Sequence, residues 1–455
     1  MIGIRDRASI SLRLPERTLV SNQAAPRLTF LSEPDRLNHN VFRFPAKFHP
    51  PVVRRLIELY TQPGDTILDP FCGSGTTLIE ALLAGRSGVG TDVDPLSILL
   101  TRAKTRRYDL SRLEAASEAL NAALARMRQA DERIWGSFEG DIASAEFKVA
   151  SEPLAPHIPR LPNIGHWFRR RVVIQLAAIK SHIERFRGSP EHLFFELCFA
   201  SIIRNSSNAD PVPVSGLEVT KHMLEREEQG RVVDPYSLLS VGVGKALEAT
   251  RRCQELMSPH ASARVARADA RHLSIRGTGS IDCVITSPPY LTAVDYYRRH
   301  TLEMFWLGLT ATTTERLDLM PRYLGRDRVG QRHMEDAERT FGATVAKRWL
   351  ALLPPSKPER QRAFIHYCAG MGDVLDRLAD VTRAAAPVII VVGNVKFNGA
   401  DVFMPRLFED LAAPRFTLKE QHWYPLANRY MSYERKNGAD INAEHVLVFR
   451  TRNKV

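Results

Sequence analysis

DTILDPFCGSGTTLIEALLAGRSGVGTDV, residues 65–93, decides the fold. DTILDPF is a short apolar, β-branched run of the buried-strand type, and GSGTTLIEALLAG reads as a helix closed by Gly85. SGVGTDV is a second short strand. Strand, helix and strand in so few residues make a βαβ unit, which implies a parallel sheet with right-handed crossovers. Its first turn, Asp69-Pro-Phe71-Cys-Gly73-Ser74-Gly75-Thr76, lies where strand meets helix. Glycines there let a ligand approach the backbone, and the helix start offers free N–H groups.

Working outward, PPVVRRLIELY (50–60) carries apolar residues at helical spacing behind a proline, and TQPGD is a turn. Residues 1–38, broken by Pro15, Pro26 and Pro34, read as an irregular arm. A cofactor half follows over 39–107. From 108 to 262 the pattern is helical, at 110–129, 172–186, 191–205 and 237–256, and reads as an insertion. Regular α/β patterning resumes over 263–455. Strands are predicted at 263–270, 280–287 and 387–394, a helix at 364–386, and a closing strand suited to a sheet edge at 445–452. The expected fold is therefore α/β and Rossmann-like, with a mainly helical insertion.

Composition narrows the class. The chain has 455 residues, 44% hydrophobic and 25% charged, as ordinary core-forming proteins do. No stretch is long and apolar enough to span a membrane, and the opening residues have no apolar signal region. Five scattered cysteines with no CxxC pair fit reduced thiols in a cytoplasm. The net charge of +12 suits a polyanionic partner. Since 51 of the 63 basic residues are arginine, a compositional bias gives the same number.

Three cofactors compete for the 69–77 turn. A Walker loop needs a lysine after its glycines, and a dinucleotide fingerprint needs a glycine where Leu78 stands. S-adenosylmethionine remains, beside the alternative of a tight turn with no ligand. Asp92, 17 residues after Gly75, ends the second strand where an acid accepts hydrogen bonds from ribose hydroxyls.

A second chemical stretch, Ser287-Pro288-Pro289-Tyr290, follows the strand IDCVIT. Two prolines remove two backbone donors and fix an extended turn. Both strand ends open on one sheet edge, so the two turns can face a common crevice. The Ser287 hydroxyl and Pro288 carbonyl would accept hydrogen bonds from an exocyclic amine while Tyr290 stacks on its base. Stacking asks only for a ring, so phenylalanine at 290 is expected to serve. Read alone, the same residues make a loop that ends a strand.

Taken together, these motifs resemble the amino-methylating DNA methyltransferases, of N4-cytosine and N6-adenine type. The resemblance implies that KFHPPVV (47–53), with Lys47, Phe48 and Pro50, closes over the methionine moiety of S-adenosylmethionine. It implies that Asp269 of ADAR approaches the adenine ring, and that NRYMSYERKNG (428–438) followed by AEHVLVF (443–449) is a closing loop and last strand. A serine first in the tetrad points to cytosine-N4, with adenine-N6 as the runner-up. DPFCGSGTTLIEA also resembles tRNA guanine-N2 methyltransferases, whose usual N-terminal RNA-binding module is larger than the residues before Phe42. A catalytically silent DNA-binding module is disfavoured by two complete motifs.

The partners so implied are double-stranded DNA and a cognate restriction endonuclease, in a prokaryotic cytoplasm. Target recognition is expected in the insertion, or else in 310–360. Arg169, Arg170 and Arg171, beside Trp167 and Phe168, are expected to track a phosphate backbone, unless they are a solvated face beside core aromatics. Arg429 and Arg435 carry the same expectation. No metal is expected, because the fourteen histidines form no ligating cluster. Cys283 and Cys72 are expected to be packing thiols, not nucleophiles.

Overall fold

The computed structural model describes residues 25–30, 37–211, 217–274, 279–291, 296–326, 329–331, 334, 337–426 and 442–452. Its central sheet has seven strands: β1 (Thr66–Asp69), β2 (Ser87–Asp92), β3 (Ala263–Arg267), β4 (Cys283–Thr286), β5 (Pro387–Gly393), β8 (Phe416–Pro425) and β9 (Ala443–Thr451). A small hairpin, β6 (Val395–Phe397) and β7 (Ala400–Val402), stands apart. The spatial order is β3-β2-β1-β4-β5-β9-β8, with β1 to β5 parallel and β9 and β8 antiparallel. This is a doubly wound, Rossmann-like sheet. Because the chain reverses direction across the sheet between β1 and β4, their C-terminal ends flank the crevice where such sheets bind ligands.

The central strands β1, β4 and β5 are apolar on both faces because both are covered. Leu68, Val284, Val388, Ile390 and Val392 pack on one side, with α14 (Phe341–Leu350), α15 (Pro358–Val381) and α16 (Met404–Ala412). Ile67, Cys283, Ile285, Ile389 and Val391 pack on the other, with α1 (Pro50–Tyr60). Close approach of α2 (Thr76–Leu83) to the sheet depends on Gly90, where a Cβ would lie 2.8 Å from Leu78 Cδ2.

After α3 (Pro95–Thr105) the chain runs through α4 (Leu110–Trp135), α5 (Ser144–Ser151), α6 (Ile164–Trp167), α7 (Arg170–Ile183), α8 (Pro190–Ser206), α9 (Lys221–Glu228) and α10 (Pro235–Leu256). Three short helices, α11 (Tyr296–Arg299), α12 (Thr301–Trp306) and α13 (Thr313–Leu319), follow β4. The helical core of α4, α7, α8 and α10 also contains Leu302, Phe305 and Trp306 from α12. The helical body is thus completed by residues beyond 262, and Cys253 and Met257 of the insertion pack on Ile79 and Leu82 of α2.

Two expectations are corrected. The closing strand is not at the edge: β9 lies between β5 and β8. β8 escaped notice because FTLKEQHWYP is polar along most of its length, and an irregularity between Leu418 and Glu420 breaks its alternation. The helix expected over 364–386 instead runs from Pro358, which suits a first turn, to Val381. Of the N-terminal arm, residues 25–30 lie along β8, with Leu28 N–H donating to the Trp423 carbonyl at 2.8 Å. The rest of residues 1–24 and 31–36 falls outside the described residues.

Candidate functional site

Between β1 and α2 the backbone takes two left-handed steps, at Gly73 (φ 49°) and Gly75 (φ 86°). Gly75 caps α2, and a Cβ there would lie 2.9 Å from Thr101 Cγ2 on α3. Three contacts then pin the turn. Gly73 N–H donates to Asp92 Oδ2 at 2.9 Å, Thr101 Oγ1 donates to the Gly73 carbonyl at 3.0 Å, and buried Lys104 donates to the Ser74 carbonyl at 3.2 Å. The turn is therefore held by the end of β2 and by α3 before any ligand arrives.

Three carboxylates surround it, two raised and one lowered. Asp69, 3% exposed, accepts from Thr286 Oγ1 at 2.7 Å and from Phe71 N–H at 3.1 Å. Burial raises its pKa to about 6, against the pull of those bonds. Asp92 accepts from Gly73 with one oxygen and from Asp94 N–H with the other, at 2.9 Å each. Burial, and then the neighbouring Asp94, raise it to about 7. Asp269 is drawn the other way: burial favours its neutral form, but the Arg271 guanidinium at 2.6 Å outweighs this and holds it below the usual carboxylate range.

The Thr286–Asp69 bond joins the two motifs, since Thr286 immediately precedes the tetrad. Both open on one cleft. It is lined by Asp69, Phe71, Gly73, Ser74, Thr76 and Asp92 from the cofactor half, Lys47 and Phe48 from the preceding segment, Asp269, and Ser287, Pro288, Pro289 and Tyr290. Pro50 and Gly75 do not line it. Pro50 is the buried first residue of α1, and Gly75 acts through the backbone at the start of α2. Lys47 bonds Asn40 Oδ1 at 2.7 Å, which holds that segment against the neighbouring loop.

Sequence reasoning missed several walls of the cleft: Phe44, Asp94, Tyr296, Arg322, Tyr323 and Leu324. Phe44 and Tyr296 stack at 5.5 Å between centroids. The aromatic pair at 296–297 soon after the tetrad was a usable signal for Tyr296. Nothing in the sequence announces 322–324. That segment is seated on the tetrad, where a Cβ on Gly325 would lie 2.7 Å from the Tyr290 carbonyl oxygen. The Tyr290 hydroxyl is also engaged: it donates to Glu444 Oε1 at 2.6 Å. Phenylalanine at 290 would lose that bond, contrary to the expectation from stacking alone.

The arginine run is corrected. Arg171 is buried and bonds Asp131 through Nε at 2.9 Å and Nη2 at 2.6 Å. Arg169, also buried, pairs with Glu227 and donates to the Arg231 carbonyl at 2.8 Å. Both guanidinium groups are spent inside the helical body and cannot track a phosphate backbone. Arg170 is exposed but bonds the Ile142 carbonyl at 3.1 Å. Arg429, Arg435 and the 428–438 loop lie outside the described residues. Cys72 and Cys283 are buried, and burial pushes both thiols up. Among the described residues no cluster of metal-ligating side chains occurs, and no helix is long and apolar enough to cross a membrane.

Comparison with known proteins gives the same direction as the motifs. Residues 21–99 match a family model described as DNA methylase, of the N6/N4 methyltransferase type. The Type II methyltransferase M.MvaI of Kocuria varians is 27% identical over 293 residues, 60% of this chain and 58% of that one. The Type II methyltransferase M.BsoBI of Geobacillus stearothermophilus is 25% identical over 279 residues, 60% of this chain and 53% of that one. A shorter match, 39% identical over 74 residues, 16% of this chain and 22% of that one, is to a tRNA (guanine(10)-N2)-dimethyltransferase of Methanothermobacter thermautotrophicus. The chain spans little more than half the length of the two Type II relatives.

Proposed function

We propose that this chain, related to the amino-methylating DNA methyltransferases, transfers a methyl group from S-adenosylmethionine to the exocyclic N4 amine of cytosine in double-stranded DNA. The observation that carries the reading is the single cleft on which the 69–76 turn and the 287–290 tetrad both open, tied together by the Thr286–Asp69 hydrogen bond. The Type II relatives support a cognate restriction endonuclease as functional partner.

The polar lining of the cleft suits S-adenosylmethionine. Asp92 offers about four acceptor positions on its two oxygens. Two are taken by backbone N–H groups, which leaves the others for ribose hydroxyls. Lys47 and Phe48 are assigned to the methionine end, and Asp269 to the adenine. When bound, S-adenosylmethionine supplies an electrophilic methyl on a positively charged sulfur.

The protein's share is positioning and electrostatics. A cytosine amine is a poor nucleophile because its lone pair is delocalised into the ring. Holding that amine in line with the methyl group converts binding energy into rate. Ser287 Oγ and the Pro288 carbonyl accept its hydrogens and stabilise the positive charge that develops on nitrogen. Tyr290 stacks on the base, which must leave the duplex to enter the cleft. No thiol takes part, consistent with the buried, raised Cys72 and Cys283.

The test is transfer of a labelled methyl group to DNA and to tRNA, followed by mass spectrometry of the nucleosides. N4-methylcytosine in DNA is the expected product. N6-methyladenine would reassign the target base, and a methylated guanine confined to tRNA would refute the reading. Ser287→Ala is expected to lower the single-turnover rate more than it lowers DNA affinity.

A further inference from the structure

Glu444 lies 154 residues from Tyr290 in the chain, as the second residue of β9. It pairs with Gly393 at the C-terminal end of β5 and with Tyr424 of β8. One carboxylate oxygen accepts from the Tyr290 hydroxyl at 2.6 Å, and the other accepts from the Tyr424 hydroxyl. Tyr424 is 1% exposed and is braced in turn by the edge of Phe30 at 5.6 Å. Ser287 Oγ lies 3.4 Å from the same Tyr290 oxygen. The first and last residues of the tetrad thus meet at one atom, anchored by a carboxylate on the antiparallel side of the sheet.

We infer that Glu444 is a positioning residue: through its bond to the Tyr290 hydroxyl it holds the ring in the place where an extruded base stacks, and it ties the tetrad to β8 and β9. The inference rests on the proposed role of the tetrad. A tyrosine ring has two side-chain torsions. Its hydroxyl oxygen lies on the axis of the second, so the short bond to Glu444 limits the first, the swing of the whole ring, while packing on the core limits rotation of the ring plane. A platform fixed before the base arrives loses no freedom on binding, so ordering it takes nothing from the stacking energy. A ring left to swing would misplace the base against the methyl donor, and small misplacements cost large factors in rate. Tyr424 and Phe30 keep the carboxylate itself from swinging.

The test compares wild type, Glu444→Gln, Glu444→Ala, Tyr290→Phe and the Glu444→Ala/Tyr290→Phe double variant. Single-turnover methylation, S-adenosylmethionine affinity and DNA affinity are measured for each. Glutamine keeps one acceptor for Tyr290, so Glu444→Gln is expected to stay within about three-fold of wild type in rate. Glu444→Ala and Tyr290→Phe are each expected to lose about ten-fold or more, with cofactor affinity held within about two-fold. Residues acting as one unit are non-additive, so the double variant should be no slower than the slower single one. An unchanged rate in both single variants, or losses that multiply in the double, would overturn the inference. If Glu444→Ala fails to fold, Tyr290→Phe and Glu444→Gln still decide it. A wild-type protein that methylates no nucleic acid defeats the proposed function instead. Fluorine spectra of 3-fluorotyrosine protein then judge the link by itself: the Tyr290 resonance, assigned by its loss in Tyr290→Phe, should shift in Glu444→Ala as the hydroxyl loses its carboxylate partner, and an unchanged resonance would overturn it.

Discussion

Replacing Asp92 by asparagine tests the cofactor site at its most informative atom pair. In the structure one oxygen accepts from Gly73 N–H and the other from Asp94 N–H, both at 2.9 Å. Asparagine has a single carbonyl oxygen, so one of these N–H groups must face an NH2 donor. The ribose hydroxyls also lose a charged acceptor. Hydrogen bonds to a charged group are worth about 1.5–3 kcal/mol, or roughly 10- to 150-fold in Kd.

The wild-type pH profile adds a second signature. Burial and Asp94 raise Asp92 to about 7, and only its ionised form is the strong acceptor. Affinity should therefore rise as pH passes upward through about 7 and level off above it. At one unit below its pKa roughly a tenth of the group is ionised, so Kd should be roughly ten-fold weaker there. Titration calorimetry with S-adenosylmethionine between pH 5.5 and about 8.5 reads both effects. A folded Asp92→Asn protein with wild-type affinity and the same pH slope would refute the assignment of Asp92 to the ribose.

The same two acids affect stability. Asp69 and Asp92 are raised to about 6 and about 7, so their contribution to the ligand-free fold is fully present at low pH and is lost as pH rises through those values. Between pH 8 and about 6 the Tm of the ligand-free protein should rise more for wild type than for Asp92→Asn; equal changes would sink this assignment. Gly75→Ala places a Cβ 2.9 Å from Thr101 Cγ2 at a φ of 86°. About 1–3 kcal/mol of stability should be lost in urea unfolding, and cofactor affinity should fall with it. Arg171→Ala strands Asp131 and should cost about 3–5 kcal/mol. The salt dependence of DNA binding should be unchanged in that variant, whereas a shallower salt slope would restore Arg171 to the phosphate contacts.

The chain by itself determined the elements whose signals are local. The βαβ unit at 65–93 was legible because the short apolar run at Ile67 and Leu68 ends in a glycine turn and its crossover helix follows at once. The two chemical turns were legible because glycine and proline leave their mark wherever the backbone must take an unusual path. Even their common crevice could be argued, since C-terminal strand ends of one parallel sheet share an edge. What needed the tertiary structure was long-range pairing and the fate of charge. β8 stayed hidden because a polar, irregular edge strand has no strong period, and its pairing with β9 is a property of two distant segments. RRR at 169–171 looks basic on paper, but Asp131 and Glu227 arrive from other helices and bury two of the three charges. Tyr290 looked like a bare stacking ring until the fold brought Glu444 to its hydroxyl. A side chain's type is written locally, whereas its partner is chosen by the sheet order and helix packing that bring far parts of the chain together.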